Sequence, residues 1–322
     1  MKSDVRVGFV DFWKSYKPQE EFIFQALSRH FNVIIDNKKP DFLFYSCFGF
    51  EHLKYDKVVR ICYYGENLVP NFNICDYSLS FLRDSISGRN HWTPQAIRYD
   101  GVEPPPVSDS LFDRRFCNFV YSQDSLGKGA KYRKEVCLEL MKYRHVDCPG
   151  KVLHNMDSDE LSSRTSRDWH TSKIDFLKQY KFTLAFENSS ADGYMTEKLL
   201  DPLIAGSVPI YWGSEGNIAP FNKECMICAS DYPTMEALLE RIIEVDTNEE
   251  LYLSMCAANP LRHKSLGDWM DDLSQFLRNI IERGVNPILK DELNLDVIHR
   301  FYDDRWIRFY KKCRTAMGRL RG

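Results

Sequence analysis

The sequence predicts an α/β protein made of two Rossmann-like lobes in tandem. Three observations carry this reading. At 322 residues, with 43% hydrophobic and 28% charged residues, the chain exceeds what one core serves, so two packed units are expected. Apolar runs of strand length alternate with segments of helical period in both halves, the pattern of βα units around a parallel sheet. Between the halves periodicity fails from about residue 84 to 110, where the chain reads Glu103-Pro104-Pro105-Pro106. Consecutive prolines stiffen a chain as polyproline II and mark a bridge.

The elements follow in order. In the first lobe, residues 1–110, a strand is expected over 5–10 and a helix over 18–31. Strands then follow over 32–36, 41–46, 58–64 and 77–81. In the second lobe, residues 111–288, strands are expected over 116–121, 182–186, 208–211 and 225–229. Helices there are expected over 130–143, 173–180, 195–205 and 233–245. Residues 289–322 form a basic tail. Ligands of open α/β sheets sit beyond the carboxyl ends of strands, so chemistry is sought just after each strand.

Composition narrows the function. With 43 Lys and Arg against 46 Asp and Glu, the net charge is −3, which gives no global field for nucleic acid. The opening MKSDVRVGFVDFW has no apolar run of signal-peptide length, so a cytoplasmic location is expected. The longest largely apolar stretch without charge, residues 202–214, has 13 residues against the ~20 of a spanning helix. The ten cysteines lie scattered in apolar segments, which suits reduced, buried thiols. Cys225 and Cys228 have a motif spacing but no second pair for zinc, and a core strand explains them better.

Three places after strands could carry chemistry. Strand 182–186 leads into a polar cluster, Glu187 to Tyr194, and then Met195-Thr196-Glu197-Lys198 opens a helix. Free N–H groups there favour an anion, although Asn188 also reads as a cap and Glu197 as an ordinary first-turn acid. Gly65-Glu66-Asn67 ends strand 58–64, where ligands of open α/β sheets sit, although a Glu in a turn is commonly just solvated. Lys128, Lys131, Arg133 and Lys134 stand near the start of helix 130–143. Two lookalikes fail. A P-loop would need Gly at 122 and Ser or Thr at 129, where the chain has Ser122 and Gly129. Asp157-Ser158-Asp159 has a metal-binding spacing but no strand before it, so a solvated loop is expected.

The string Phe182-Thr-Leu-Ala-Phe-Glu-Asn-Ser, then Gly193-Tyr-Met-Thr-Glu-Lys-Leu, then Val208-Pro-Ile-Tyr-Trp-Gly resembles the donor-binding signature of the α1,3/4-fucosyltransferases, glycosyltransferase family 10, bacterial type. Tyr64-Gly-Glu-Asn-Leu-Val-Pro-Asn-Phe72 extends the resemblance into the first lobe. It implies a GT-B architecture, with an acceptor lobe, a donor lobe and a cleft between them. It also implies GDP-fucose as donor and Glu66 as general base, with Glu197 at the ribose hydroxyls. Arg133, Asn188, Tyr194 and Lys198 would stand around the diphosphate, with Lys128 and Lys131 as alternatives to Arg133. No cofactor or essential metal is expected. The acceptor it implies is an oligosaccharide or glycolipid, with transfer to O-3 of GlcNAc in a β-galactosyl-GlcNAc unit of a bacterial surface glycan. Two other readings stay open: a related transferase using another nucleotide deoxysugar, and a catalytically idle glycan- or nucleotide-binding protein.

From Arg300 to Gly322 eight Lys and Arg meet two Asp, a charge of +6 that leaves −9 on the rest. As a helix this tail places Tyr302, Trp306, Phe309, Cys313, Met317 and Leu320 on one face and its basic residues towards the other. Such a helix suits an anionic membrane at the inner face of the cytoplasmic membrane, packing on the first lobe, or a frayed end.

Overall fold

The structure is a computed structural model that describes residues 2–55, 57–99, 106–124, 127–163, 166, 168–261 and 266–288. The first lobe runs β1 (Asp4–Val10), α1 (Phe22–Ser28), β2 (Asn32–Ile35), β3 (Phe42–Tyr45), β4 (Val59–Tyr63), β5 (Tyr77–Ser80) and β6 (Asn90–Trp92). Its strands form one parallel sheet of order β2-β1-β3-β4-β5-β6. Strands β3, β4 and β5 are buried along their whole length, which is why they read as unbroken apolar runs.

The second lobe runs β7 (Arg115–Asn118), α2 (Gly127–Tyr143), β8 (Val146–Asp147), α3 (Trp169–Leu177), β9 (Tyr180–Phe186), α4 (Glu197–Ala205), β10 (Val208–Trp212), α5 (Glu215–Ile218), β11 (Ile227–Cys228), α6 (Met235–Thr247) and α7 (Glu249–Ala257). Its sheet is also parallel, in the order β11-β10-β9-β7-β8. Helix α8 (Leu266–Arg283) then returns to the first lobe. There Ser274 Oγ donates to the Ala26 carbonyl at 3.1 Å, and Arg29 pairs with Asp271. One apolar cluster therefore runs from Phe22 and Ile23 of α1 through Trp269 and Leu273 of α8 to Leu199 of α4 and Met195 before it.

Several elements differ from the sequence reading, and helices α5, α7 and α8 have no counterpart in it. The helix expected over 18–31 is a 3-10 turn, Pro18–Glu20, followed by α1. Glu21 between them is extended and pairs with Arg98 at 2.6 Å, a tertiary contact that local periodicity does not contain. Strand β6 lies inside the stretch without periodicity; its Asn90 accepts from Ser78 and Ser80 at 2.6 and 2.7 Å. Polar pairing fixes this strand rather than apolar burial. The edge strand β8, two residues long, was too short to register. The basic tail lies outside the described residues.

Candidate active site

The carboxyl ends of the two sheets face one another across a cleft of about 820 Å³, the size of a small-molecule site. From the first lobe, β4 ends at Tyr63 and the following turn sets an exposed Glu66 on the cleft wall. The turn has a stiff base. Ser46 Oγ donates to the Tyr63 carbonyl at 2.8 Å, and Arg98, held by Glu21, donates to the Tyr63 hydroxyl at 3.5 Å.

From the second lobe, β9 runs directly into Glu187, whose carboxylate is wholly buried. It accepts from the Thr196 N–H at 2.8 Å and from the Thr196 hydroxyl at 2.8 and 3.0 Å. Thr196 is also the N-cap of α4. One threonine thus ties the sheet end to the helix start, and the first turn of α4 brings Glu197 and Lys198 into the cleft. Lys198 Nζ donates to Thr196 Oγ1 at 3.1 Å and Glu197 Oε1 at 3.3 Å, and lies 3.7 Å from Glu187 Oε2. On α3, Lys173 pairs at 2.6 Å with Asp201, a buried carboxylate on α4 that also meets His170 at 3.3 Å.

Opposite charges therefore alternate along the cleft floor. Burial alone would raise the Glu197 pKa, but Lys198 and Lys173 outweigh it and hold the carboxyl down at about 2. Burial would likewise lower the Lys198 pKa, yet Glu197 and Glu187 drive it up. Both groups stay ionised across the neutral range. In Glu187 burial prevails over the pull of Lys198, so its pKa is raised.

Arg133 on α2 is 1% exposed. Its guanidinium lies 3.9 Å over the Tyr121 ring and donates to Asn188 Oδ1 at 2.8 Å, the Phe186 carbonyl at 3.4 Å and the Gln123 carbonyl. Its charge is built into the wall, and its Nε is left without a hydrogen-bond partner among the described residues. Tyr194 is buried edge-on against Phe81 of the first lobe at 4.9 Å. Beside it Gly193 has φ of 86°, and a Cβ there would stand 1.9 Å from the Phe81 carbonyl oxygen, so the lobes meet this closely only at a glycine.

All six residues singled out from the sequence, Glu66, Arg133, Asn188, Tyr194, Glu197 and Lys198, line this one cleft. Lys128 and Lys131 are exposed and outside it, and Lys134 pairs with Asp124 at 2.9 Å. Asp157 sits at the cleft edge as an exposed loop residue. Among the described residues no cluster of His, Cys, Asp and Glu could hold a metal. Cys225 and Cys228 lie in the core, where burial pushes both thiols up to about 12. Sequence reasoning missed Lys173, Asp201, Arg98 and Gln95. Gln95 accepts from the Glu197 N–H at 3.1 Å and donates to the Gly65 carbonyl at 3.4 Å, bridging the Glu66 turn and α4. It lies where periodicity gave no signal, and Lys173 reads as an ordinary helix lysine.

Two family models match in tandem: the α-(1,3)-fucosyltransferase FucT N-terminal domain over residues 7–99, and the C-terminal part of glycosyltransferase family 10 (fucosyltransferase) over residues 118–257. The chain is 24% identical to an α-(1,3)-fucosyltransferase FucT of Helicobacter pylori, over 92% of this chain and 67% of that protein. It is 34% identical to α-(1,3)-fucosyltransferase B of Drosophila melanogaster over 42% of this chain. It is also 39% identical to GDP-fucose protein O-fucosyltransferase 3 of Xenopus tropicalis over 36%. It spans 32% and 25% of those two animal proteins. Among solved structures, a crystal structure of an α1,3-fucosyltransferase superposes with TM-score 0.71 at 22% identity, covering 87% of this chain and 91% of that one. The same kind of enzyme crystallised with GDP-fucose gives 0.69, over 90% and 93%. The fold is therefore the GT-B architecture expected from the sequence.

Proposed function

The chain belongs to glycosyltransferase family 10, the fucosyltransferases, and on that premise we propose that it moves L-fucose from GDP-fucose, with inversion, onto a glycan hydroxyl. The acceptor position is O-3 of GlcNAc in a β-galactosyl-GlcNAc unit of a bacterial surface glycan. The observation that carries this reading is the placement of Glu66 on one wall and of Glu197 and Lys198 on the other wall of a single cleft.

Inversion is a single displacement at the anomeric carbon through an oxocarbenium-like transition state, and the acceptor hydroxyl loses its proton as it attacks. Glu66 takes that proton. Glu197, ionised and with two acceptor oxygens, receives the ribose hydroxyls. Lys198, kept cationic by its acidic neighbours, neutralises the charge that grows on GDP as it leaves. Arg133 adds a fixed positive charge from within the wall and orients Asn188, while Tyr194 closes the pocket beside them. These cations do the work a divalent metal does in other transferases, so turnover is expected to survive EDTA; complete loss restored by Mn²⁺ would contradict this.

Glu66→Gln should lower turnover by ~10²–10⁴-fold while GDP affinity, read by calorimetry, stays close to wild type. Near-normal turnover would remove Glu66 from the mechanism. A donor screen with lactosamine, coupled to linkage analysis of the product, tests the whole reading. GDP release with GDP-fucose and a 1,3 linkage is expected. Release only from another nucleotide sugar supports a different deoxysugar transferase, and binding without release an idle protein.

A further inference from the structure

The loops after β1 and β3 carry an aromatic edge that the proposed chemistry does not use. Phe48 lines the cleft yet is 55% exposed, and Trp13 stands beside it, ring centroids 6.3 Å apart and nearly perpendicular. Trp13 is braced from behind, edge-on against Tyr16 at 4.8 Å with Arg98 over its ring at 5.6 Å.

The backbone that presents this pair is built at a conformational cost. Asp11 has φ of 61°, a left-handed conformation rare in non-glycine residues. Its buried carboxylate accepts from the Glu51 and His52 N–H groups, both at 2.9 Å, and pairs with His52 Nδ1 at 2.7 Å. The Asp11 carbonyl accepts from the Phe48 N–H at 3.1 Å. At Gly49 a Cβ would stand 2.3 Å from Asp11 Oδ1, so a larger residue there would have to displace the carboxylate. One carboxylate thus locks both loops together and fixes Trp13 and Phe48 in place.

Sheet order measures the distance to the chemistry. Glu66 follows β4; β3 is its neighbour and β1 lies one strand further. With strands spaced about 4.8 Å apart, the loops of Phe48 and Trp13 begin about 5 and 10 Å from that of Glu66. That offset is about one pyranose ring and its linkage.

We propose that Trp13 and Phe48 form the platform on which the sugar adjoining the reacting residue stacks, through an apolar C–H face. An aromatic face suits such a surface, and galactose, with C–H bonds at positions 3, 4 and 5 on one side, presents it. The inference rests on the function proposed above and names the acceptor sugar it reads. The test compares β-galactosyl-GlcNAc with the β-methyl glycoside of GlcNAc as acceptors for wild type and Phe48→Ala, with GDP affinity as the check on folding and donor binding. The variant should raise the disaccharide KM on the order of five- to tenfold and leave the monosaccharide KM and GDP affinity unchanged. Unchanged disaccharide preference in both Phe48→Ala and Trp13→Ala would overturn the platform. Absence of turnover with either acceptor would count against the function instead. In that case saturation-transfer NMR on the disaccharide decides: transfer to galactose protons lost in Phe48→Ala supports the platform, and transfer that is absent from wild type or retained in the variant overturns it.

Discussion

Glu197 is a carboxylate whose charge depends on its neighbours. Its folded pKa of about 2 lies below the ordinary 4.5. It therefore adds stability above pH 4.5, and that contribution fades as the pH falls towards 2. Donor affinity in the wild type should show no titration of this group at or above pH 5. Lys173→Met removes one of the two cations that hold the pKa down, so the variant's GDP affinity should weaken as pH falls from 7 to 5. Calorimetry at several pH values checks this, and parallel profiles would show that Lys198 alone suffices. The residue types here were legible because a carboxylate beside an ammonium at a helix start is a local pattern. Lys173 was not, because its partner Asp201 is 28 positions away and on another helix.

At the scale of elements, the start of α4 is held by Thr196, which caps the helix and supplies the donors for buried Glu187. Thr196→Ala removes the cap, worth about 1 kcal/mol. It also leaves a buried carboxylate short of a partner, about 1–3 kcal/mol more. A loss of about 2–4 kcal/mol in urea unfolding is expected, and a loss under about 1 kcal/mol would mean that Lys198 satisfies Glu187 without the hydroxyl. Most strands were readable because β3, β4, β5 and β9 are buried on both faces, which a run such as Phe42-Leu43-Phe44-Tyr45 shows directly. β6 was unreadable because Asn-His-Trp has no apolar alternation; it joins β5 by backbone register, and the Asn90 side chain anchors it to Ser78 and Ser80.

Across the whole molecule the two lobes meet at the cleft, and Gln95 bonds to Gly65 on one side and Glu197 on the other. Gln95→Glu keeps the acceptor for the Glu197 N–H but loses the donor to the Gly65 carbonyl whenever the new carboxyl is ionised. A glutamate of ordinary pKa is ionised at pH 6 and pH 8 alike, so turnover should fall below wild type across that range; wild-type turnover in the variant would assign Gln95 a packing role only. The basic tail makes a separate prediction. We propose that it seats the enzyme on an anionic inner membrane surface, where each basic residue adds about 1 kcal/mol. Full-length chain should float with anionic liposomes while a chain ending at Leu295 should not, and equal flotation would exclude a tail anchor.

The sequence by itself determined the two lobes, most of the strands and the polar clusters after them, because burial of continuous apolar runs and helix capping are local properties of neighbouring residues. The tertiary structure alone decided which residues meet. It returned α8 to the first lobe, paired Lys173 with Asp201, placed Gln95 between Gly65 and Glu197, and bound two loops through Asp11 into one aromatic edge. Those contacts join residues up to 248 positions apart. They arise from sheet order and lobe packing, which no window of sequence contains.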